Sequence, residues 1–343
     1  MKILFVASPA IHNQQMVDSA RQLGIDVRFE SDQTSYLLGG LFKENLLLWR
    51  INQRFWRLKA FNRRLFNQHL VSICRSWKPD VFLTTRGYSL QEETIRTIHR
   101  LGVKTVNWCA ENVNHPQWHD WFWRMIDWYD TVFSLDSNIV REVKRKKPRI
   151  DIRYLPLGFN PNPEWENITE ADRRRFECDV GFVGYVESIF TEREQLLKAV
   201  VDAGINIKIF SRSDTKQTSI ADHCFGPLTD EELGKFYRIA KICLNDEFEP
   251  RGSGLVLRTF EISSAGGFQL SGLQEDLPDM FIPDKEIVVF RTKEEAIEKI
   301  RHYLAHPEER KAIAEAGLVR ARRDHTMTVR LIQFLVQVKT KTK

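Results

Sequence analysis

Short apolar runs alternate with amphipathic stretches along the whole chain. KILFVAS (2–8) is rich in β-formers, MVDSARQLG (16–24) has helical spacing and stops at Gly24, and DVRFES (26–31) reads as a second strand. Strand, helix, strand with short connections predicts a parallel sheet. The pattern continues through strand 79–85, helix 90–101, strand 104–110, helix 117–128 and strands 130–136 and 152–158. Between 44 and 77, Leu48, Ile51, Phe55, Leu58 and Leu65 recur at helical spacing, with Arg50, Arg54, Arg57, Arg63 and Arg64 between them. This predicts one or two helices with a basic face.

Three prolines (Pro156, Pro161, Pro163) and a polar stretch to residue 176 then interrupt the pattern, which marks a domain boundary. DVGFVG (179–184) restarts it. Helix 191–203, strand 207–211, helix 229–239, strand 241–245, a helix near 255–265, strands 268–272 and 286–290 and helices 293–305 and 307–322 follow. Both halves read as α/β units, so two Rossmann-like domains facing a central cleft are expected. The first spans 1–160, the second 177–325.

Composition narrows the picture. At 343 residues the chain accommodates two domains of roughly 150 residues each. A hydrophobic content of 42% excludes general disorder. No apolar run reaches the roughly 18–20 residues of a membrane helix. MKILFVASPA reads as a strand and not as a signal peptide. Cys74, Cys109, Cys178, Cys224 and Cys243 are scattered and odd in number, which speaks against disulfides or a zinc ribbon and for a reducing cytoplasm. The net charge of +5 is mild, but residues 45–79 hold eight Lys/Arg and no Asp or Glu. That stripe leaves open an anionic acceptor, peripheral contact with an anionic membrane at its inner face, or nucleic acid. No helix-turn-helix, zinc-finger or RNA-binding signature supports the last.

Chemistry concentrates in two segments of the second half. In DVGFVGYVES a strand runs into Gly181 and Gly184, where a backbone can approach a phosphate at a helix N-terminus or simply make a tight turn. It is neither GxGxxG nor a Walker loop. In EPRGSGLVLRTFEISSAGGFQLS (249–271), Arg251, Gly252, Ser253 and Gly254 precede a helix on which Arg258 and Glu261 share a face. A surface ion pair is one reading. The other is a site for a ligand with hydroxyls and phosphates, Glu accepting from the hydroxyls and Arg meeting the phosphates.

Three strings, FGPLTDEELGKFYRIAKICLND, RTFEISSAGGFQL and DMFIPDKEIVVFRTKEEAIEKIRHYLAHPEERKAIAEAGLVRARRDHT, resemble group-1-like glycosyltransferases of the spore-coat maturation type. The resemblance covers about 177–330, and KPDVFLTTRGYSL, GVKTVNWCAEN, YDTVFSLD and IRYLPLGFNP extend it more loosely. It implies the GT-B architecture, a nucleotide-sugar donor held by the second domain, and a final helix (326–338, within 326–343) crossing back to the first. By that resemblance Glu261 matches the second Glu of the E-x7-E motif, which binds the donor ribose. The first Glu is replaced by Ser253. The Arg and Lys pair expected after the strand near Gly184 is also absent, with Tyr185, Glu187 and Ser188 in its place. Arg258 or Arg251 would then supply the charge. Gly254 continues the same loop, and Arg212 and Gly226-Pro227 fall where the family contacts the base. The implied reaction uses the nucleotide diphosphate sugar as co-substrate, with no cofactor and no metal, and leaves the acceptor unknown.

Fixed cations and helix dipoles suit the negative charge that develops on a leaving diphosphate. An inverting attack needs a base, for which Glu111, His115, His119 and Asp120 follow strand 104–110, Glu111 best placed. Glu111, His115 and His119 also have metal-like spacing, but Pro116 breaks that helix. Trp108, Trp118, Trp121, Trp123 and Trp128 read as packing residues or as platforms for sugar rings. Two alternatives to a glycosyltransferase remain: an inactive nucleotide- or sugar-binding protein of the same fold, motivated by Ser253, and a membrane-surface or nucleic-acid binder using the basic stripe.

Overall fold

A computed structural model describes residues 1–33, 54–111, 113–186, 191–216, 218–246 and 252–339. The chain divides into two compact units, Met1–Pro156 with Leu331–Lys343, and Leu157–Arg330. Among the described residues no helix is long and apolar enough to cross a membrane.

In unit 1, strands β1 (Lys2–Ala7), β2 (Asp26–Ser31), β3 (Val81–Thr84), β4 (Lys104–Cys109), β5 (Thr131–Ser134) and β6 (Ile152–Tyr154) form one parallel sheet in the order β2-β1-β3-β4-β5-β6. Its helices are α1 (Ile11–Gln22), α2 (Trp56–Trp77), α3 (Glu92–Arg100), α4 (Pro116–Met125) and α5 (Ser137–Lys146). The strands are near-continuous apolar runs because helices cover both faces. Leu4, Val6, Phe82, Val132, Phe122 and Ile95 form its core. Two expected elements are shorter than read. The helix over 117–128 ends at Met125 and finishes as a 3-10 turn, and strand 152–158 stops at Tyr154, just ahead of Pro156, which cannot donate to a ladder. Residues 44–53 of the expected basic helix lie outside the described residues. Arg54, ahead of α2, and Arg57 and Arg64 on it are exposed.

In unit 2, β7 (Val180–Val183), β8 (Ile207–Phe210), β9 (Cys224–Phe225), β10 (Ile242–Asn245), β11 (Gln269–Gly272) and β12 (Val288–Phe290) form a second parallel sheet in the order β12-β11-β10-β7-β8-β9. The two-residue β9 is too short to read from periodicity. The helices are α6 (Glu170–Phe176), α7 (Thr191–Asp202), α8 (Asp230–Ile239), α9 (Leu257–Ala265), α10 (Leu277–Met280), α11 (Lys293–Ala305), α12 (Pro307–Asp324) and α13 (Met327–Lys339), the last continuing into unit 1.

Residues 157–160, expected in the first domain, pack in the second unit, and the polar stretch expected as a boundary is ordered there. Ser264 Oγ donates to the Phe159 carbonyl at 3.2 Å, and the Phe159 ring stacks on Trp165 at 5.6 Å. Thr169 opens α6 with a reciprocal capping box to Asp172. Within unit 1, Phe334 of α13 is buried against Trp108 and Phe133. Lys104 Nζ donates to the Val338 carbonyl at 2.7 Å, a cation at a helix C-terminus.

The helix α8 starts from a second capping box. Thr229 Oγ1 accepts from the Glu232 amide at 3.3 Å and the Glu232 carboxylate accepts from the Thr229 amide at 2.8 Å. Thr229 is exposed, so Thr229→Ala removes the cap and little else. Its expected cost is about 1 kcal/mol in a urea unfolding titration, and an unchanged midpoint would refute it.

Candidate functional site

In an open parallel sheet the loops at the carboxyl ends of strands diverge where the strand order reverses, leaving room for a ligand. Unit 2 reverses between β7 and β10. Gly184 and Tyr185 follow β7, Asp246 follows β10, and α9 carries Arg258 and Glu261.

Asp246 is fully buried and holds two guanidinium groups. Arg193 Nε lies 2.7 Å from Oδ2, and Arg258 Nη1 lies 3.2 Å from Oδ1. Arg193 comes from the first turn of α7 and also donates to the Tyr185 carbonyl at 2.6 Å. Arg258 donates to Asn245 Oδ1 at 3.1 Å and lies over the Phe182 ring at 4.8 Å. Asn245 is in turn fixed by donating to Thr259 Oγ1 at 3.1 Å. Two guanidiniums thus share the Asp246 carboxylate. A Cβ at Gly184 would stand 2.3 Å from Arg258 Nη2, so glycine there is the space that Arg258 occupies.

Glu261 lies one turn beyond Arg258. Its carboxyl group has no hydrogen-bond or ion-pair partner among the described residues. Burial pushes its pKa up to about 7, Arg258 opposing and Asp230 adding to the rise. The buried Tyr237 hydroxyl, within the field of the same carboxyl, also lacks a partner. The first turn of α9 has no side-chain cap, and within it the Thr259 N–H donates to the Val256 carbonyl at 3.1 Å.

The other expected residues fall into two groups. Exposed Arg212 follows β8 and exposed Pro227 follows β9, so they share the carboxyl-end side with Gly184, Tyr185, Arg258 and Glu261. Gly254 is buried in the loop before α9. Ser253 is fully buried and its Oγ bonds Asp276 Oδ2 at 3.1 Å, which commits the hydroxyl to fixing that loop. Arg251 lies outside the described residues, as do Glu187 and Ser188. Sequence reading missed Arg193 and Asp246, a buried pair that contacts Arg258 and the Tyr185 carbonyl.

Unit 1 reverses between β1 and β3. There Arg86, after β3, pairs through Nε with Glu111 Oε1 at 2.5 Å. Burial raises the Glu111 pKa against the pull of Arg86. The carboxylate expected as a base is therefore already directed at a guanidinium. Arg86 also faces His12, lowered to about 4 by burial and by Arg86, and Asp32, pushed up to about 6 by burial with Arg86 opposing. Gly87 adopts φ +86°, a left-handed turn that presents Arg86 and Tyr88 on either side. The Tyr88 ring stacks on Trp118 at 5.0 Å, while Trp108 is fully buried and Trp121, Trp123 and Trp128 pack on the core. Glu111, His115 and His119 do not converge. Among the described residues, three metal-capable side chains come together at exposed His302, His306 and Glu309.

Residues 192–336 match a sequence family described as "Glycosyl transferase-like". Solved structures match the whole chain at low identity. Sucrose-phosphate synthase from Thermosynechococcus elongatus has a TM-score of 0.66 at 12% identity, covering 98% of this chain and 99% of its own. Anabaena HepE, solved with UDP-glucose, has 0.68 at 10%, with 98% and 99% covered. The UDP-forming α,α-trehalose-phosphate synthase from Burkholderia vietnamiensis has 0.63 at 14%, with 99% and 100% covered. No match is found among curated proteins. The two parallel six-stranded sheets have the GT-B architecture expected from the sequence, and most of unit 2 is glycosyl transferase-like.

Proposed function

We propose that this glycosyl transferase-like enzyme moves a sugar from a nucleoside diphosphate sugar, bound at the β7/β10 reversal of unit 2, to an acceptor. The observation that carries the reading is a fixed guanidinium, Arg258, on the same helix face as the unpartnered carboxyl of Glu261. The leaving diphosphate takes the electron pair of the anomeric C–O bond as that bond breaks. Arg258 and the positive N-terminal end of α9 meet the developing charge. The acceptor oxygen forms the new bond and gives up its proton to water. Arg193 and Asp246 hold Arg258 in place. The role assigned to Arg258 is the one a divalent metal would otherwise play, so metal independence is part of the proposal. Glu261 accepts from the ribose hydroxyls. Tyr185, Arg212 and Pro227 border the nucleotide from the neighbouring strand ends. Resemblance to the spore-coat maturation type supports the donor class, and the uridine nucleotides of HepE and trehalose-phosphate synthase make UDP the first nucleotide to test.

The commitment of Ser253 to Asp276 favours a second reading, a protein that binds the nucleotide sugar without transferring it. A calorimetric and thermal-shift panel of UDP, GDP and dTDP tests the donor site, and hydrolysis of the bound nucleotide sugar separates the two readings. No saturable binding of any nucleoside diphosphate would overturn both.

Glu261 gives the reading a pH signature. An ionised carboxylate accepts more strongly than the neutral acid. With a pKa of about 7, its ionised fraction rises roughly tenfold from pH 6 to pH 8. UDP-glucose, whose diphosphate does not titrate in this range, should bind up to about tenfold tighter at pH 8. Without ligand the sign is opposite. The folded pKa exceeds the ordinary 4.5, so stability from this group is present below about 4.5 and is lost as pH rises through about 7. Glu261→Gln should flatten both curves, and a pH-dependent UDP-glucose affinity surviving in that variant would count against the ribose contact.

A further inference from the structure

Unit 1 has a cavity of about 330 Å³ at its own strand reversal, whose lining includes Ser8, Asp32, Lys59, Arg63, Arg86 and Tyr88. The proposed donor chemistry uses none of these residues. Three features of the lining select a ligand.

The first is charge. Lys59 and Arg63 are one helical turn apart on α2, so both face the same side. Neither has a carboxylate partner among the described residues. Arg63 is aimed by its own backbone contacts, donating from Nε to the Ser89 carbonyl at 3.2 Å and from Nη2 to that of Leu90. Arg86 adds a third cation, balanced by Glu111. Two cations without carboxylate partners fit a phosphate monoester, which carries about −1.5 to −2 at pH 7. They exceed what a single carboxylate would neutralise.

The second is the set of orphaned polar atoms. Asp32 Oδ1 and Tyr88 Oη are buried with no hydrogen-bond partner. A buried polar atom left unpaired is destabilising, and ligand hydroxyls would relieve it. The third is size. A cavity of about 330 Å³ sits at the lower end of ligand pockets, which suits one sugar ring and not a polymer or a lipid.

We infer that this cavity binds a phosphorylated monosaccharide, its phosphate on Lys59 and Arg63 and its ring hydroxyls on Asp32 and Tyr88. That this ligand is the acceptor rests on the glycosyltransferase reading; that it binds here does not.

The test is calorimetry on the full chain with glucose 6-phosphate, glucose and inorganic phosphate, with UDP as a separate titration. Glucose 6-phosphate should bind at least tenfold tighter than glucose or inorganic phosphate. Lys59→Glu, at an exposed position, should weaken it tenfold or more. Tyr88→Phe removes only an unpartnered hydroxyl, so folding is spared, and glucose 6-phosphate should weaken several-fold while inorganic phosphate does not. Equal affinity for glucose and its phosphate, equal affinity for inorganic phosphate, or indifference to both substitutions would overturn the assignment. UDP binding without sugar-phosphate binding removes this inference and leaves the donor reading. Sugar-phosphate binding without any nucleotide binding does the reverse.

Discussion

Asp246→Ala is expected to destabilise the protein by about 3–5 kcal/mol and to abolish nucleotide binding with it. The magnitude follows from what remains when a buried ion pair loses one partner. Asp246 is 0% exposed, and Arg193 is equally enclosed. Removing the carboxylate leaves two guanidiniums packed against Phe182 without the carboxylate they share. Asp246→Asn keeps the shape and loses only the charge, so it should cost nearly as much. Asp246→Leu combined with Arg193→Met removes both buried charges and should recover most of the stability, because well-packed apolar replacements of buried pairs are often neutral. It should not recover nucleotide affinity, since Arg258 is no longer held. Urea unfolding and calorimetry with UDP read the two effects separately. If Asp246→Asn unfolds at the parent midpoint, the Asp246 carboxylate is not what holds the two guanidiniums.

The same cluster shows what a sequence discloses and what it hides. Arg258 and Glu261 are three residues apart on a helix, so their shared face is a local fact and could be read directly. Arg193 stands in TEREQ, a stretch with the composition of a solvated helix start. Its burial is decided by Asp246, 53 positions later, through a pairing of strands that no local pattern records. Asp246 itself follows an apolar strand and reads as an ordinary loop acid. In unit 1 the arrangement is similar. Glu111 was legible because it ends a strand, whereas its partner Arg86 ends a different one, and only the β3–β4 ladder brings the two together.

The fold was more legible because parallel strands and their helices repeat a pattern within about 30 residues. It failed where the pattern had no period. The prolines and polar residues after 156 resembled a linker, yet one aromatic side chain fixes them. Trp165 is 1% exposed, stacks on Phe159 and donates through Nε1 to the Asp230 carbonyl at 2.9 Å. A lone tryptophan in a Pro/Asn/Glu stretch carries no periodic signal.

That tryptophan sets the other large expected effect. Trp165→Ala should cost about 3–5 kcal/mol, the range for deleting a buried aromatic side chain. Its partner is Gly234 on α8, where a Cβ would stand 1.9 Å from Trp165 Cδ2 and 2.1 Å from Cγ. Inside an ordinary helix Gly→Ala gains up to about 1 kcal/mol. Here the added methyl overlaps an indole that is held on its other face, so Gly234→Ala should instead cost about 1–3 kcal/mol. The two substitutions are therefore coupled in sign. In the Trp165→Ala background the cavity accepts the methyl, and Gly234→Ala should become neutral or stabilising. A double-mutant cycle by urea unfolding measures the reversal. The coupling also reaches the donor site, because α8 carries Asp230 and Tyr237, both within the field of Glu261. Gly234→Ala alone should therefore weaken UDP binding as well as folding, and the double variant should not restore it fully. Equal costs of Gly234→Ala in both backgrounds would show that the tryptophan is not what keeps residue 234 a glycine.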